Sequence, residues 1–144
     1  MDAIHILLVE DNEGDIVLTI EALEEGKMMN KISIARDGKQ AVDFLTKAGE
    51  FANANTPDLI LLDINLPKKN GQEVLEFIKT TDKIKHIPVI MLTTSNAEID
   101  IAKAYKNHAN CYINKPVELG DFMSAIAKIQ EFWFTVVKLP PFKN

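Results

Sequence analysis

The segment Leu59–Leu62 is an unbroken aliphatic run that ends abruptly at Asp63. The run is too short for a helix of ordinary length, and its lack of alternation predicts a strand buried on both faces, as in a parallel sheet. An aspartate at the carboxyl end of such a strand lies where open α/β sheets bind ligands. The simpler alternative is that Asp63 is only the first polar residue of a loop, and this stretch alone does not decide between them.

Strand-length apolar runs alternate with segments of helical periodicity along the whole chain. The predicted strands cover 4–9, 31–36, 59–62, 87–92 and 111–114. The predicted helices cover about 15–25, a segment ending near 49, a segment opening at 71, about 99–107, and a final helix from 119 to 133. This alternation predicts an α/β fold, a doubly wound parallel (βα)5 sheet with helices on both faces. A chain of 144 residues suits one domain with one core.

The overall composition excludes several classes of protein. A net charge of -5 argues against nonspecific nucleic-acid binding and suits a basic partner surface or a bound cation. The single cysteine cannot form an internal disulfide, and the first residues lack the features of a secretion signal. No apolar run approaches the ~20 residues of a membrane span. We therefore expect a cytoplasmic protein that binds neither nucleic acid nor membrane.

Polar residues that carry chemistry follow four of the predicted strands. Glu10 and Asp11 follow the first strand, Asp63 the third, Thr93 the fourth and Lys115 the fifth. Because the carboxyl ends of parallel strands share one edge of a sheet, we expect these residues to converge. Clustered carboxylates repel one another and resist full ionisation unless a cation is present. Hard oxygen ligands of this kind suit Mg²⁺.

In this order and at these spacings, the residues resemble the receiver domain of two-component response regulators. The resemblance rests on Glu10-Asp11, Asp63 with Pro67, Gly71, Thr93 and Lys115-Pro116. It covers the chain to about residue 135 and implies a flavodoxin-like (CheY-like) fold with strand order 2-1-3-4-5. A narrower resemblance is to the small receivers that partner cyanobacterial and bacterial phytochrome kinases. That narrower resemblance rests on residues 51–53, 65–71, 92–95, 108–113 and 132–133.

The resemblance implies a role for each residue at the predicted edge. Asp63 is the expected phosphoacceptor, which takes a phosphoryl group from a phosphohistidine of a sensor histidine kinase, here of the phytochrome class. Mg²⁺ is expected on Glu10, Asp11, Asp63 and the main-chain carbonyl of Asn65. Lys115 is expected to place a positive charge on the phosphoryl oxygens. The protein is then a signalling protein and not an enzyme, apart from its own phosphorylation and dephosphorylation.

The resemblance also implies a conformational switch and a dimer. Thr93 is the expected switch hydroxyl, and Tyr112 occupies the aromatic switch position. Residues 1–135 are the expected receiver domain. Residues 136–144 form an apolar extension that is too short for an output domain. We expect a homodimer through the fourth helix, the fifth strand and the final helix, with a contribution from this extension.

Two other functions use the same edge of a similar sheet. A phosphatase of the haloacid dehalogenase type also has a strand-end aspartate and Mg²⁺, but needs a second aspartate two residues later. Asn65 occupies that position and cannot transfer a proton. An FMN-binding protein needs a phosphate-binding loop after the first strand, where Glu10 and Asp11 would repel the phosphate.

Overall fold

The computed structural model describes residues 4–25, 30–94, 109 and 111–132. Within these ranges five strands form one sheet, and every neighbouring pair is parallel. The strand order is β2-β1-β3-β4-β5, as predicted. The strands are β1 (Ile4–Val9), β2 (Asn30–Ala35), β3 (Leu59–Asp63), β4 (Val89–Thr93) and β5 (Cys111–Asn114).

Helices connect the strands in the described ranges. They are α1 (Glu13–Glu25), α2 (Gly38–Thr46), α3 (Gly71–Thr80) and the final helix (Leu119–Phe132), with a 3-10 turn at Gly49–Phe51. The fourth helix predicted at about 99–107 lies outside the described residues, as do Trp133 and the 136–144 extension.

Local backbone chemistry accounts for three shifts in the predicted boundaries. Helix α1 begins two residues earlier than predicted, and the Asn12 side chain accepts a hydrogen bond from the Asp15 N–H at 2.9 Å. Helix α2 ends at Thr46, because Lys47 adopts the left-handed conformation with φ of 58°. Strand β4 begins only after Pro88, which has no N–H to donate to a neighbouring strand.

The central strands β1, β3 and β4 are buried along their whole length. Alternate residues supply two apolar clusters, one on each face of the sheet. Helices α2 and α3 cover one face, while α1 and the final helix cover the other. Because both faces of these strands are buried, their sequences are continuous apolar runs without polar alternation. In the described parts of the chain, no helix combines the length and the apolar character that a membrane crossing requires.

Candidate functional site

The carboxyl edge of the sheet gathers the acidic residues that the sequence predicted there. Asp63 is the last residue of β3 and is 2% exposed, and Glu10 follows β1 and is fully buried. Asp11, the next residue, is exposed. One ligand oxygen from each of these carboxylates lies within 4.8 Å of the others. The predicted convergence of the three carboxylates is therefore confirmed.

Lys115 extends its ammonium group from the end of β5 into this acidic cluster. Its Nζ lies 2.8 Å from Glu10 Oε2, 3.0 Å from Asp15 Oδ2 and 3.4 Å from Asp63 Oδ1, and its side chain is only 8% exposed. Sequence reasoning missed Asp15 as a member of this cluster. Asp15 lies in the first turn of α1, which begins beside the same edge of the sheet, and this position was the signal in the sequence that could have placed it in the cluster.

The cluster holds more negative charge than Lys115 alone balances. The pKa of Asp63 is raised to about 7, chiefly by burial and then by the neighbouring Glu10 charge. The Lys115 charge and the Asn65 N–H, which donates to Asp63 Oδ1 at 3.2 Å, act in the opposite direction. Burial lowers the pKa of Lys115, but hydrogen bonds to Glu10 and Asp15 and the Asp63 charge raise it by more. A cluster of oxygen ligands with unbalanced negative charge can bind a divalent metal ion.

The two predicted switch residues, Thr93 and Tyr112, lie on β4 and β5. Thr93 ends β4, is fully buried, and follows Leu92, the register partner of Asp63. Its carbonyl accepts a hydrogen bond from the Lys115 N–H at 2.8 Å, which joins the ends of β4 and β5. Tyr112 lies three residues before Lys115, half-buried, and packs against the apolar cluster on the α2–α3 face.

The chain turns sharply from Asp63 into α3, and Gly71 makes that turn possible. A Cβ at Gly71 would lie 2.2 Å from the Asp63 carbonyl oxygen, so no other residue fits without movement of the backbone. The Gly71 N–H donates to the Ile64 carbonyl at 2.9 Å. Asn70 caps α3 through a reciprocal pair of hydrogen bonds with Glu73. The predicted opening of a helix at Gly71 is confirmed.

Helix α1 presents apolar side chains to solvent beside the site. Val17 is 51% exposed and Leu18 is 47% exposed. Leu18 also lines an open groove between α1 and the start of the final helix, together with Val117 and Leu119. Glutamates contribute to the lining of the same groove, namely Glu21, Glu25 and Glu118. This surface therefore combines apolar side chains with negative charge.

A sequence profile of the response regulator receiver domain matches residues 6–127. The chain is 45% identical over 135 residues to response regulator Rcp1 of Synechocystis sp., with 94% of this chain and 92% of Rcp1 covered.

Two solved structures share the fold and much of the sequence. The bacteriophytochrome response regulator AtBRR has a TM-score of 0.83 and 42% identity, over 92% of this chain and 96% of AtBRR. The phosphorylated cyanobacterial phytochrome response regulator RcpA has a TM-score of 0.79 and 46% identity, over 96% of this chain and 99% of RcpA. Rcp1 itself has been solved in a Mn²⁺-bound form. These matches confirm the CheY-like flavodoxin fold.

Proposed function

The chain belongs to the response regulator receiver domain family, and on that premise we propose that Asp63 accepts a phosphoryl group from a sensor histidine kinase. One observation carries the assignment to Asp63: its carboxyl group is buried at the end of β3, next to Glu10, with the Lys115 ammonium 3.4 Å away. The haloacid dehalogenase alternative finds no support in the family match.

The phosphoryl transfer requires a nucleophile, a leaving group and charge compensation. An Asp63 carboxylate oxygen attacks the phosphorus and forms an acyl phosphate. The phosphorus–nitrogen bond of the phosphohistidine breaks, and its electron pair stays on the imidazole nitrogen. Lys115 adds a positive charge within 3.4 Å of the nucleophile, where the phosphoryl oxygens bring negative charge. The Asn65 N–H fixes the orientation of the Asp63 carboxyl group.

A divalent cation, proposed to be Mg²⁺, completes the charge balance of the site. Glu10, Asp11, Asp63 and the main-chain carbonyl of Asn65 would hold it, and all of these are hard oxygen ligands. When bound, the cation supplies positive charge that offsets repulsion between the carboxylates and the phosphoryl oxygens. Burial is the main cause of the raised pKa of Asp63, and the Glu10 charge, its second cause, is a charge that such a cation would compensate.

The proposed response to phosphorylation involves Thr93 and Tyr112. Thr93 ends the strand next to β3, so its hydroxyl is suited to donate a hydrogen bond to a phosphoryl oxygen on Asp63. Such a bond contributes roughly 1.5–3 kcal/mol. That energy shifts a two-state equilibrium about tenfold or more, but complete switching takes ~5.5 kcal/mol. Repacking of Tyr112 against the α2–α3 face is the proposed second contribution.

The proposed partner is a histidine kinase of the phytochrome class, because AtBRR and RcpA are phytochrome response regulators. The exposed Val17 and Leu18 on α1 are the proposed docking residues, since a kinase that reaches Asp63 must contact the surrounding surface.

We further propose a cytoplasmic signalling role without nucleic-acid binding. Residues 1–135 are the proposed receiver domain, and residues 136–144 are an apolar extension. Phosphorylation and dephosphorylation of its own aspartate are the only chemistry proposed.

The first test is the intact mass of the protein after incubation with Mg²⁺ and acetyl phosphate. We expect one phosphoryl adduct on the wild type, none on Asp63→Asn, and none when the metal is removed with a chelator. Asp58→Asn is the matched control, because Asp58 lies at the opposite end of β3 and should leave the adduct unchanged. An adduct that persists in Asp63→Asn would refute the assignment.

A further inference from the structure

The loop between β3 and α3 controls the geometry of the proposed site. We call residues 64–70 the acceptor loop. It follows Asp63 directly and contains Asn65, whose N–H donates to Asp63 Oδ1 at 3.2 Å. The hydrogen bond from the Gly71 N–H, directly after the loop, to the Ile64 carbonyl ties the two ends of the loop together. The loop therefore connects residues 68–70 with the Asn65 contact to Asp63 through a short, closed segment.

Helix α2 makes such a contact at its N-terminus. Gly38 is the first residue of α2, and a Cβ there would lie 1.9 Å from the Lys69 carbonyl oxygen and 2.7 Å from its carbonyl carbon. Gly38 does not have a positive φ, so the position requires glycine for space and not for backbone conformation. The backbone of the acceptor loop is thus packed directly against the start of α2.

An ion pair joins the same two segments. Asp37 caps α2, with Oδ1 accepting a hydrogen bond from the Gln40 N–H at 2.7 Å. Its second oxygen, Oδ2, lies 3.4 Å from Lys68 Nζ. Lys68 has a φ of 66°, a left-handed conformation that residues other than glycine rarely adopt. Such a conformation persists where surrounding contacts hold it. The contacts present at this point are the ion pair of Asp37 with Lys68 and the packing of Gly38 against the next residue, Lys69.

We propose that Asp37 and Gly38 are positioning residues for the site at Asp63 and that they act through the acceptor loop. The inference rests on the proposed phosphoacceptor function. Real Cβ atoms do not approach closer than 3.0 Å, so a side chain at residue 38 forces Lys69 and the start of α2 apart by about 1 Å or more. The displacement moves Asn65 relative to Asp63, and both are proposed metal ligands. Misplacement on this scale can cost about 100-fold in a reaction rate.

The test compares Gly38→Ala with Gly120→Ala. Gly120 lies in the first turn of the final helix, and a Cβ there meets no atom within 4 Å, so it is a matched control. We expect Gly38→Ala to weaken Mg²⁺ binding about 10- to 100-fold by calorimetry and to slow adduct formation with acetyl phosphate at saturating Mg²⁺. Gly120→Ala should change both by about twofold at most.

The Mg²⁺ affinity distinguishes a positioning role of Gly38 from a mere loss of folding stability. Both variants are measured at a temperature where circular dichroism shows complete folding, and there a loss of stability alone leaves the affinity unchanged. Asp37→Asn is a second variant, because asparagine caps a helix as well as aspartate does but lacks the charge that faces Lys68. We expect it to weaken Mg²⁺ binding about two- to fivefold. Adding Lys68→Gln should then cause no further loss.

Each outcome bears on the proposal. Wild-type affinity and adduct rate in a folded Gly38→Ala would overturn it. If Gly38→Ala does not fold, the Asp37 and Lys68 variants decide, and the absence of coupling between them also overturns the proposal. If the wild type binds Mg²⁺ but forms no adduct, the phosphoacceptor function fails, while the metal affinities of the variants still test the positioning.

Discussion

At the scale of single residues, Lys115 determines the charge balance of the site. Its ammonium group contacts carboxylates from three parts of the chain: Glu10 after β1, Asp15 on α1 and Asp63 at the end of β3. Glu10 and Asp63 are almost inaccessible to solvent, so water cannot replace the lysine as their partner. Loss of one member of a buried ion pair is strongly destabilising, because the remaining charge has no compensation.

Substitution of Lys115 by methionine should reduce the free energy of unfolding of the metal-free protein by about 3 kcal/mol. Mg²⁺ should restore part of the loss, because it supplies positive charge to the same carboxylates. Urea unfolding with and without Mg²⁺ measures both effects. Lys85→Met is the control, since Lys85 pairs with the exposed Asp82 and should cost less than about 1 kcal/mol. A Mg²⁺ effect no larger in Lys115→Met than in the wild type would contradict the prediction.

At the scale of secondary-structure elements, the half-buried Lys79 links α3 to the segment that follows it. Lys79 donates hydrogen bonds to the Ile87 carbonyl at 2.7 Å and the Lys85 carbonyl at 3.3 Å. Burial lowers the pKa of Lys79 to about 8. The unfolded chain, with an ordinary lysine pKa near 10.5, therefore binds more protons than the folded protein between about pH 8 and pH 10.5.

Because of Lys79, the free energy of unfolding should rise with pH between about pH 8 and pH 10.5. The rise in the free energy of unfolding is at most about 3.5 kcal/mol, since the pKa falls from 10.5 to about 8 and one pKa unit corresponds to about 1.4 kcal/mol. The measurement is the difference in unfolding free energy between wild type and Lys79→Gln from pH 7.5 to 10.5, because other groups also titrate there. Lys83→Gln, which alters an exposed lysine nearby, is the control. A difference that stays constant with pH would refute the pKa assignment.

Helix α1 provides the second prediction at this scale. Leu18→Glu should slow phosphoryl transfer from a phosphorylated phytochrome-class histidine kinase about tenfold or more, because it places a charge in the proposed docking surface. The same variant should react normally with acetyl phosphate, which needs no docking surface. Lys83→Glu, beyond the end of α3 at the opposite edge of the sheet, should affect neither reaction. Equal losses with both donors would indicate damage to the site itself.

At the scale of the whole molecule, the architecture could be predicted from the sequence because its signals are local. The apolar run that ends at Asp63, and the polar residues at the ends of the strands β1, β4 and β5, predicted one parallel sheet with a common acidic edge. The contact of Asp15 with Lys115 and the pairing of Asp37 with Lys68 depend on how helices and loops pack. The position of Asp15 in the first turn of α1 was a local signal for the first contact, but no local pattern encodes the second. The left-handed conformation of Lys68 was missed for the same reason.

Association of the whole chain is the remaining prediction at this scale. The 136–144 extension, which lies outside the described residues, is rich in apolar residues. We expect a homodimer in which the extension contributes to the interface, so truncation after Thr135 should shift the mass by light scattering towards the monomer. Lys143→Ala, which keeps the apolar residues, is the control. An unchanged dimer mass after truncation would exclude a role for the extension.

Lys115 lies far from its carboxylate partners along the sequence, and the ribosome therefore adds it long after them. Glu10 and Lys115 are 105 positions apart. At about 5–20 residues per second, the ribosome adds the lysine roughly 5–20 s after the first carboxylates. A nascent chain that lacks β5 therefore carries the acidic edge without its internal cation. The internal charge balance of the site is therefore complete only once β5 has joined the sheet and Lys115 follows it.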